Sequence, residues 1–456
     1  MTQFTVQQAI DLAQEHQRAQ RPAEAEAIYR QILAQAPARH DVYQRLAEIC
    51  YQSGRVPEAL ELMRGAVAAD PNVADYHGNL AMLLSTLGQF DEAIPAFQRA
   101  LSIRPSSAET LNNLGGAMRE TARYDQAAAA LRRALAIRPD YAEAEWNLAF
   151  VLLAQGNLGE GLPAFEARLR VKNFPNRRIQ GPMWDGSDLH GRRILLHTEQ
   201  GVGDTFNFIR YAPLVAARGG RVFVLCSPDV HRLMSVQELS VEQWIADGQP
   251  RPEFDTHCPL MSLPKVFGTT METIPAGVPY MAADPKWVEP WRKRLAQDSA
   301  VLKVGLVWAG NMHPIHNRKR TMALATLLPL GALPRVSFYS LQKGAAALEA
   351  KTPPAGMRLI DWSDELNDFA DTAALIAALD LIITVDTSVA HLAAAMGKPT
   401  WVLLPFVADW RWFMDREDSP WYPTMRLFRQ TALGDWRGPV ARVAEELGRM
   451  RMTKLE

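Results

Sequence analysis

The sequence predicts a mixed α + α/β chain: a helical repeat solenoid in the first third, then two lobes built on parallel sheets. Two observations carry this. Prolines recur at a fixed interval of 34 residues up to Pro139, and beyond about residue 190 short apolar strands alternate with helical segments. The bulk composition fits a globular protein of about three domains: 456 residues, 48% hydrophobic and 22% charged.

The prolines are Pro37, Pro71, Pro105 and Pro139. Ala25, Ala59, Ala93 and Ala127 keep the same register. A large apolar residue follows each alanine by four: Tyr29, Met63, Phe97 and Leu131. Leu12, Leu46, Leu80, Leu114 and Leu148 form a further column, and Gly54, Gly88 and Gly156 fall on the turn between paired helices. Small alanines let two helices approach closely, the large residue fills the gap beside them, and proline ends the second helix because it lacks the N–H. This is the signature of the tetratricopeptide (TPR) repeat, with five units at 6–39, 40–73, 74–107, 108–141 and 142 to about 172. In the fifth the alanine has become Gly161 and the closing proline is missing. Such arrays present a concave surface to a protein or peptide, and can also mediate self-association as a homodimer.

Residues 173–190, rich in Pro, Gly and Asn, read as an ordered linker. The first lobe, 191–295, holds strands at RILLH (193–197), RVFVL (221–225) and VEQWI (241–245). The second, 296–456, holds VGLVW (304–308), SFYSLQ (337–342), MRLIDW (357–362), LIITV (381–385) and TWVLLP (400–405). The clearest helices run from Thr372 to Leu379 and from Val389 to Met396. The tail GPVARVAEELGRM is a final helix long enough to cross back onto the first lobe.

Five segments could carry chemistry. EQGVGDT (199–205) follows the first strand. Gly201 and Gly203 allow a tight turn and close approach by a ligand, and Asp204 stands near a helix start, where it serves either as a reactive carboxylate or as a cap. VDTSVAH (385–391) opens a helix after a strand. Asp386, Thr387 and Ser388 with the free N–H groups of the first turn fit a diphosphate within reach of His391, and the same residues fit plain capping. WAGNMHPIHNRKRT (308–321) offers Asn311, Arg318, Lys319 and Arg320 to a phosphate, or is a solvated run. SLQKG (340–344) offers Gln342 for a base or sugar and Lys343 for a phosphate. DWRWFMDREDSPWY (409–422) offers aromatic rings for stacking, or for packing between lobes. Four of the five lie at carboxyl ends of strands, so a cleft between the lobes would gather them.

The segments PMWDGSDLHGRRILLHTEQGVGDTFNFIRY, VGLVWAGN and LIITVDTSVAHLAAAMGKPTWVLLP resemble the heptosyltransferase-like bacterial glycosyltransferases of GT-B fold, in their TPR-fused branch. The resemblance covers roughly 180–435. The order of domains is also distantly similar to the TPR-bearing O-GlcNAc transferases. The resemblance implies inverting, metal-independent transfer from a nucleoside-diphosphate sugar, with no further cofactor. Asp204 matches the family's proposed general base, Arg320 a basic residue near the donor phosphates, and Asp386 to Ser388 with His391 the donor junction. Gln342 and Lys343 resemble a donor-side pair in the O-GlcNAc transferases. The family's DTGLSH-type segment is DTSVAH here and its acidic loop is HNRKR, so ADP-heptose does not follow as the donor.

The expected function is therefore a glycosyltransferase acting on a protein hydroxyl recruited by the repeats. A lipid-linked or polysaccharide glycan is the alternative acceptor, and a TPR adaptor with a retired enzyme domain the alternative role. Net charge of −1 leaves no basic excess for nucleic acid. Cys50, Cys226 and Cys258 form no disulfide or zinc pattern, which suits a reducing compartment. The opening MTQFTVQQAIDLAQ is not a secretory signal and no apolar run reaches about 18 residues, so a cytoplasmic location is expected.

Overall fold

A computed structural model describes residues 5–454 apart from 173, 176, 178, 200 and 311–318. The chain forms two compact units, Met1–Val151 and Leu152–Glu456. Among the described residues no helix is long and apolar enough to cross a membrane.

The repeats are helix pairs: α1 (Val6–Arg18) with α2 (Pro22–Gln35), α3 (His40–Gln52) with α4 (Val56–Ala69), α5 (Ala74–Thr86) with α6 (Phe90–Ile103), α7 (Ala108–Glu120) with α8 (Tyr124–Ile137), and α9 (Ala142–Ala154) with α10 (Leu158–Phe165). The periodic columns are the core. Ala25, Ala59, Ala93 and Ala127 are wholly buried, and Tyr29, Met63, Phe97 and Leu131 are buried beside them. Gly161 continues the alanine column because a Cβ there would stand 2.8 Å from Leu153 Cδ2. The turn glycines at 54, 88 and 156 have φ of +76°, +77° and +82°, where glycine pays no steric penalty. Gln20 and Ala122 occupy the same register in the first and fourth pairs and share the left-handed conformation, each at φ +58°. The boundary between the units falls inside the fifth pair, so α10 belongs with the α/β unit, whereas the sequence reading ended the array at 172.

The first lobe contains β1 (Arg193–His197), α11 (Val202–Phe208), α12 (Ala212–Ala217), β2 (Arg221–Cys226), α13 (Pro228–Met234), β3 (Val241–Ala246), β4 (Thr256–Pro259), α14 (Leu263–Val266) and α15 (Pro285–Leu295). Its sheet is parallel in the order β3-β2-β1-β4. β4 escaped the sequence reading because THCP is short and barely apolar. The linker is built into this lobe: Trp184 N donates to His257 O at 2.8 Å and His257 N to Pro182 O at 3.1 Å.

The second lobe contains β5 (Leu302–Val307), β6 (Val336–Ser340), β7 (Leu359–Asp361), α16 (Phe369–Ala378), β8 (Leu381–Val385), α17 (Ser388–Ala395), β9 (Thr400–Leu404), β10 (Met425–Arg429) and α18 (Arg437–Thr453). Its sheet is also parallel, in the order β10-β9-β8-β5-β6-β7. The terminal helix does not cross to the first lobe. Val440, Val443 and Leu447 of α18 are buried in the core that includes Leu306, Trp401 and Phe428 of its own lobe, where the apolar face of α18 finds its partner.

Candidate active site

In each sheet the strand order reverses once, between β1 and β4 and between β5 and β8. Ligands of open α/β sheets bind outside the carboxyl ends of strands at such switch points. The loops after β1, β5 and β8 stand there, and they hold three of the segments singled out from sequence.

On the first lobe Gly201 is the N-cap of α11 and Asp204 lies in its first turn, without a capping bond from a side chain. The capping alternative for Asp204 is realised in part, because the Gly201 main chain hydrogen-bonds its carboxylate. The carboxylate also accepts from Arg411 Nη2 at 2.6 Å, through Oδ1. Arg411 belongs to the second lobe, in the turn Trp410–Trp412 after β9. Burial raises the Asp204 carboxyl above its ordinary value, and Arg411 opposes that rise. Gly203 makes a close approach, though not to a ligand: a Cβ there would stand 2.8 Å from His391 Cδ2 and 3.5 Å from Ser388 Cα. The two strand–helix junctions therefore face each other directly.

On the second lobe Thr387 is the N-cap of α17, again without a side-chain capping bond. Thr387 Oγ1 pairs instead with Thr384 Oγ1 at 3.0 Å. The start of α17 is left uncapped, with Asp386 buried just ahead of it. Burial, with the like charge of Asp409, pushes Asp386 up to about 6 against the pull of Arg320. His391 is buried; Nδ1 is 3.0 Å from the Tyr422 hydroxyl and the ring stacks on Trp412 at 5.0 Å. Burial, with Arg411 adding, pushes His391 down to about 3, so the imidazole is neutral at pH 7.

Other expected residues fare differently. Asn311 and Arg318 lie outside the described residues. Arg320 is near enough to bias both Asp386 and His391. Gln342 is not free to read a base or sugar. Its Oε1 accepts from Trp308 N and Ala309 N at 3.1 and 2.9 Å, and its Nε2 donates to Ala309 O and Lys343 O at 3.0 and 2.9 Å. The residue is a buried strut pinning the loop after β5 to the end of β6. Lys343 Nζ donates to Ser363 O at 2.7 Å. Trp410, Trp412 and Trp421 are wholly buried, so packing takes the rings that stacking on a ligand would need.

Several residues at the site gave no signal of their own. Asp409 and Arg411 lay within a segment read for its aromatic rings. Arg210 is a buried cation held by carbonyls and rings: it donates to Asn207 O, Trp421 O and the Tyr280 hydroxyl at 2.7, 2.6 and 2.8 Å, and lies 4.5 Å from the Tyr422 ring. Glu199, which opens the Asp204 loop, is held by Arg168 at 3.1 and 2.9 Å, with both side chains fully buried. At the β1–β4 switch point His197 Nε2 meets His257 Nδ1 at 3.1 Å, and burial pushes His197 down to about 3. Apart from Arg210 to Asn207, these contacts join residues tens to hundreds of positions apart, which spacing cannot reveal. Among the described residues, the groups that come close enough to hold a metal ion are Glu26, Cys50 and Glu58 of the repeats. Both of those carboxylates are engaged by Arg30 and Arg55.

Comparison with known proteins matches tetratricopeptide repeat models to residues 17–83, 72–140 and 119–170. A model of glycosyltransferase family 9 (heptosyltransferase) matches residues 367–403. That segment spans α16, β8 and α17, and so holds Asp386, Thr387, Ser388 and His391. Protein FlbA of Caulobacter vibrioides is 30% identical over 322 residues, which are 66% of this chain and 54% of FlbA. The chain thus spans about half the length of that relative. Among solved structures, MamA is 20% identical over 35% of this chain and 92% of its own, with a TM-score of 0.33. YrrB, described as a TPR protein with an unusual peptide-binding site, is 18% identical over 37% and 87%, with a TM-score of 0.34. Repeats followed by a parallel-sheet α/β unit with a family 9 segment at the switch point of its second sheet make this chain similar to TPR-fused, heptosyltransferase-like glycosyltransferases.

Proposed function

We propose that the α/β unit transfers a sugar from a nucleoside-diphosphate sugar to an acceptor hydroxyl, with inversion and without a metal ion. The observation that carries this reading is the meeting of the two junctions: Gly203 of one lobe stands against the uncapped start of α17 in the other, and its neighbour Asp204 is held by Arg411 of that lobe. In the reaction the acceptor oxygen attacks the anomeric carbon and its proton passes to the Asp204 carboxylate. The anomeric C–O bond to the diphosphate breaks, and the diphosphate leaves with the electron pair. The first-turn N–H groups of α17 and the Arg320 guanidinium offset its charge. His391, neutral at pH 7, serves there as a hydrogen-bonding group and not as a cation.

The acceptor in this reading is a protein held by the repeats. Its support is a polar hollow of about 260 Å³ in the repeat array, lined by Asp75, Asn79, Met82, Arg104, Thr110 and Asn113 among others. Side-chain amides and hydroxyls suit the main chain of an extended peptide.

The test is a thermal-shift screen against UDP, GDP, ADP, CMP and their sugar conjugates. One nucleotide is expected to stabilise the protein selectively, and the shift to shrink in Arg320→Ala and Ser388→Ala. Asp204→Asn is expected to keep that shift while transfer falls by about 10²–10⁴-fold, the usual worth of a general base. No shift with any nucleotide in folded protein would favour a non-catalytic TPR adaptor.

A further inference from the structure

We propose that Arg411 is a positioning residue for Asp204: it fixes one carboxylate oxygen, leaves the other to take the acceptor's proton, and ties placement of the base to closure of the two lobes. The inference rests on the transferase reading above and adds a residue and a device to it.

The geometry is specific. Arg411 splits its two terminal nitrogens between two carboxylates. Nη2 donates to Asp204 Oδ1 at 2.6 Å and Nη1 to Asp409 Oδ1 at 2.8 Å. Asp409 is itself fixed, because the same Oδ1 accepts the Arg411 main-chain N–H at 3.0 Å as the cap of the turn. The guanidinium carbon lies 4.5 Å from the Trp410 ring centre and 5.1 Å from that of Phe208. An arginine with 6% of its side chain exposed, held by two carboxylates and two rings, is fixed by its packing. Asp204 keeps 19% of its side chain exposed, and its Oδ2 lies on the side of Gly201, whose main chain hydrogen-bonds the carboxylate.

A contact that served only to hold the lobes together would be better made with both oxygens of one carboxylate. The fold contains such a contact. Arg232 on α13 of the first lobe grips both oxygens of Asp368, which caps α16 of the second, at 2.7 and 2.6 Å, and also reaches Asp371. Arg411 differs in holding one oxygen of Asp204 only, next to Gly203, which packs on α17. The next residue, Trp412, stacks on His391, so one turn of the second lobe touches both the base and the diphosphate end of the site. When the lobes part, Arg411 leaves with the second lobe and Asp204 loses its fixed orientation.

The charged groups around Asp204 set what removal of Arg411 does. Burial and then Asp409 raise its carboxyl, while Arg411, the Gly201 main chain and Arg168 lower it. Without Arg411 the carboxyl needs a higher pH to ionise. The experiment compares Arg411→Gln and Arg411→Lys with the wild type in full-length protein. It measures donor KM, kcat and the pH profile of kcat/KM with the nucleotide sugar that the screen identifies. Arg411→Gln is expected to lose about 10²-fold in kcat, the scale of a misplaced catalytic group, with donor KM within about threefold. Its acidic limb moves to higher pH. Arg411→Lys, which keeps the cation and is the safeguard should the glutamine variant misfold, restores the limb and part of kcat. Unchanged kcat in Arg411→Gln, or a loss of kcat with an unmoved limb in both variants, overturns the proposal and leaves the transferase reading intact. A wild type that transfers nothing from any donor overturns the transferase reading and the proposal with it.

Discussion

Residues 20 and 122 hold the left-handed turn that glycine holds at 54, 88 and 156. A side chain in that conformation costs roughly 1–2 kcal/mol, partly offset because glycine loses more freedom on folding. Ala122→Gly is therefore expected to stabilise the repeat unit by about 0.5–1 kcal/mol, read as a rise of about 2 °C in its melting temperature, and Gly54→Ala to do the reverse. Titration is the other property decided residue by residue. His197 and His391 are held neutral in the fold down to about pH 3, while in the unfolded chain they protonate near 6.5. The unfolded state thus takes up extra protons as pH falls below 6.5. Stability is lost across that window at about 1.4 kcal/mol per pH unit for each histidine. Asp386 acts in the opposite sense, since the folded form keeps its proton up to about 6 and acidification returns stability. His257 adds to the loss and Asp204 to the return. From pH 6.5 to 5 the α/β unit should lose about 2 kcal/mol in denaturant melts, and Asp386→Asn should steepen the loss. A flat profile would contradict the neutral, buried state of the histidines.

Between elements, the 34-residue period reappears as rows of ion pairs. Arg30 reaches Glu58 in the next repeat and Arg64 reaches Glu92, each partner one period further on. Arg104 reaches back to Asp75 and Arg138 to Glu109, a second row with the same step. All are exposed, and each is worth about 0–1 kcal/mol. Arg104→Gln is expected to cost no more than that at low salt and almost nothing at 1 M salt, by chemical denaturation. These rows show what kind of information the sequence carried. Wherever structure repeats, the Ala25 column, the Tyr29 column and the turn positions could be read from spacing alone. Strands also announced themselves where both faces are buried, as in β8 and β9. β4 and β10 did not, because THCP and MRLFR are short and half polar. The site was legible in outline, as loops at strand ends. Its working contacts were not, because Asp204 to Arg411 and Glu199 to Arg168 span 207 and 31 residues and obey no period. Gln342 shows the converse: a polar side chain beside a site turned out to be spent on main-chain groups.

At the scale of the whole chain the two units can be followed separately. Eleven of the twelve tryptophans lie beyond residue 151, Trp146 being the exception, so intrinsic fluorescence reports on the α/β unit. The repeat unit is helical throughout its pairs, so far-UV circular dichroism is weighted toward it. Glu199→Gln leaves the buried Arg168 with Glu166 as its remaining carboxylate, so the cost is expected at or below the low end of the about 3–5 kcal/mol of a broken buried pair. The fluorescence transition is expected to move to lower denaturant by that amount while the dichroism of the repeats holds. Coincident shifts of both signals would mean that the units unfold as one.

The placing of α10 sets where chains of this kind can exchange parts. Recombination that joins a foreign repeat array at residue 172 would discard Arg168 and strand the Glu199 carboxylate in a dry interior, and the chimera should fail to express in soluble form. A crossover in the loop before α9, near Asp140, carries the fifth helix pair along with the α/β half as its inherited collar. Repeats one to four are then the interchangeable cassette, and a lineage could replace them without disturbing the core of the α/β unit.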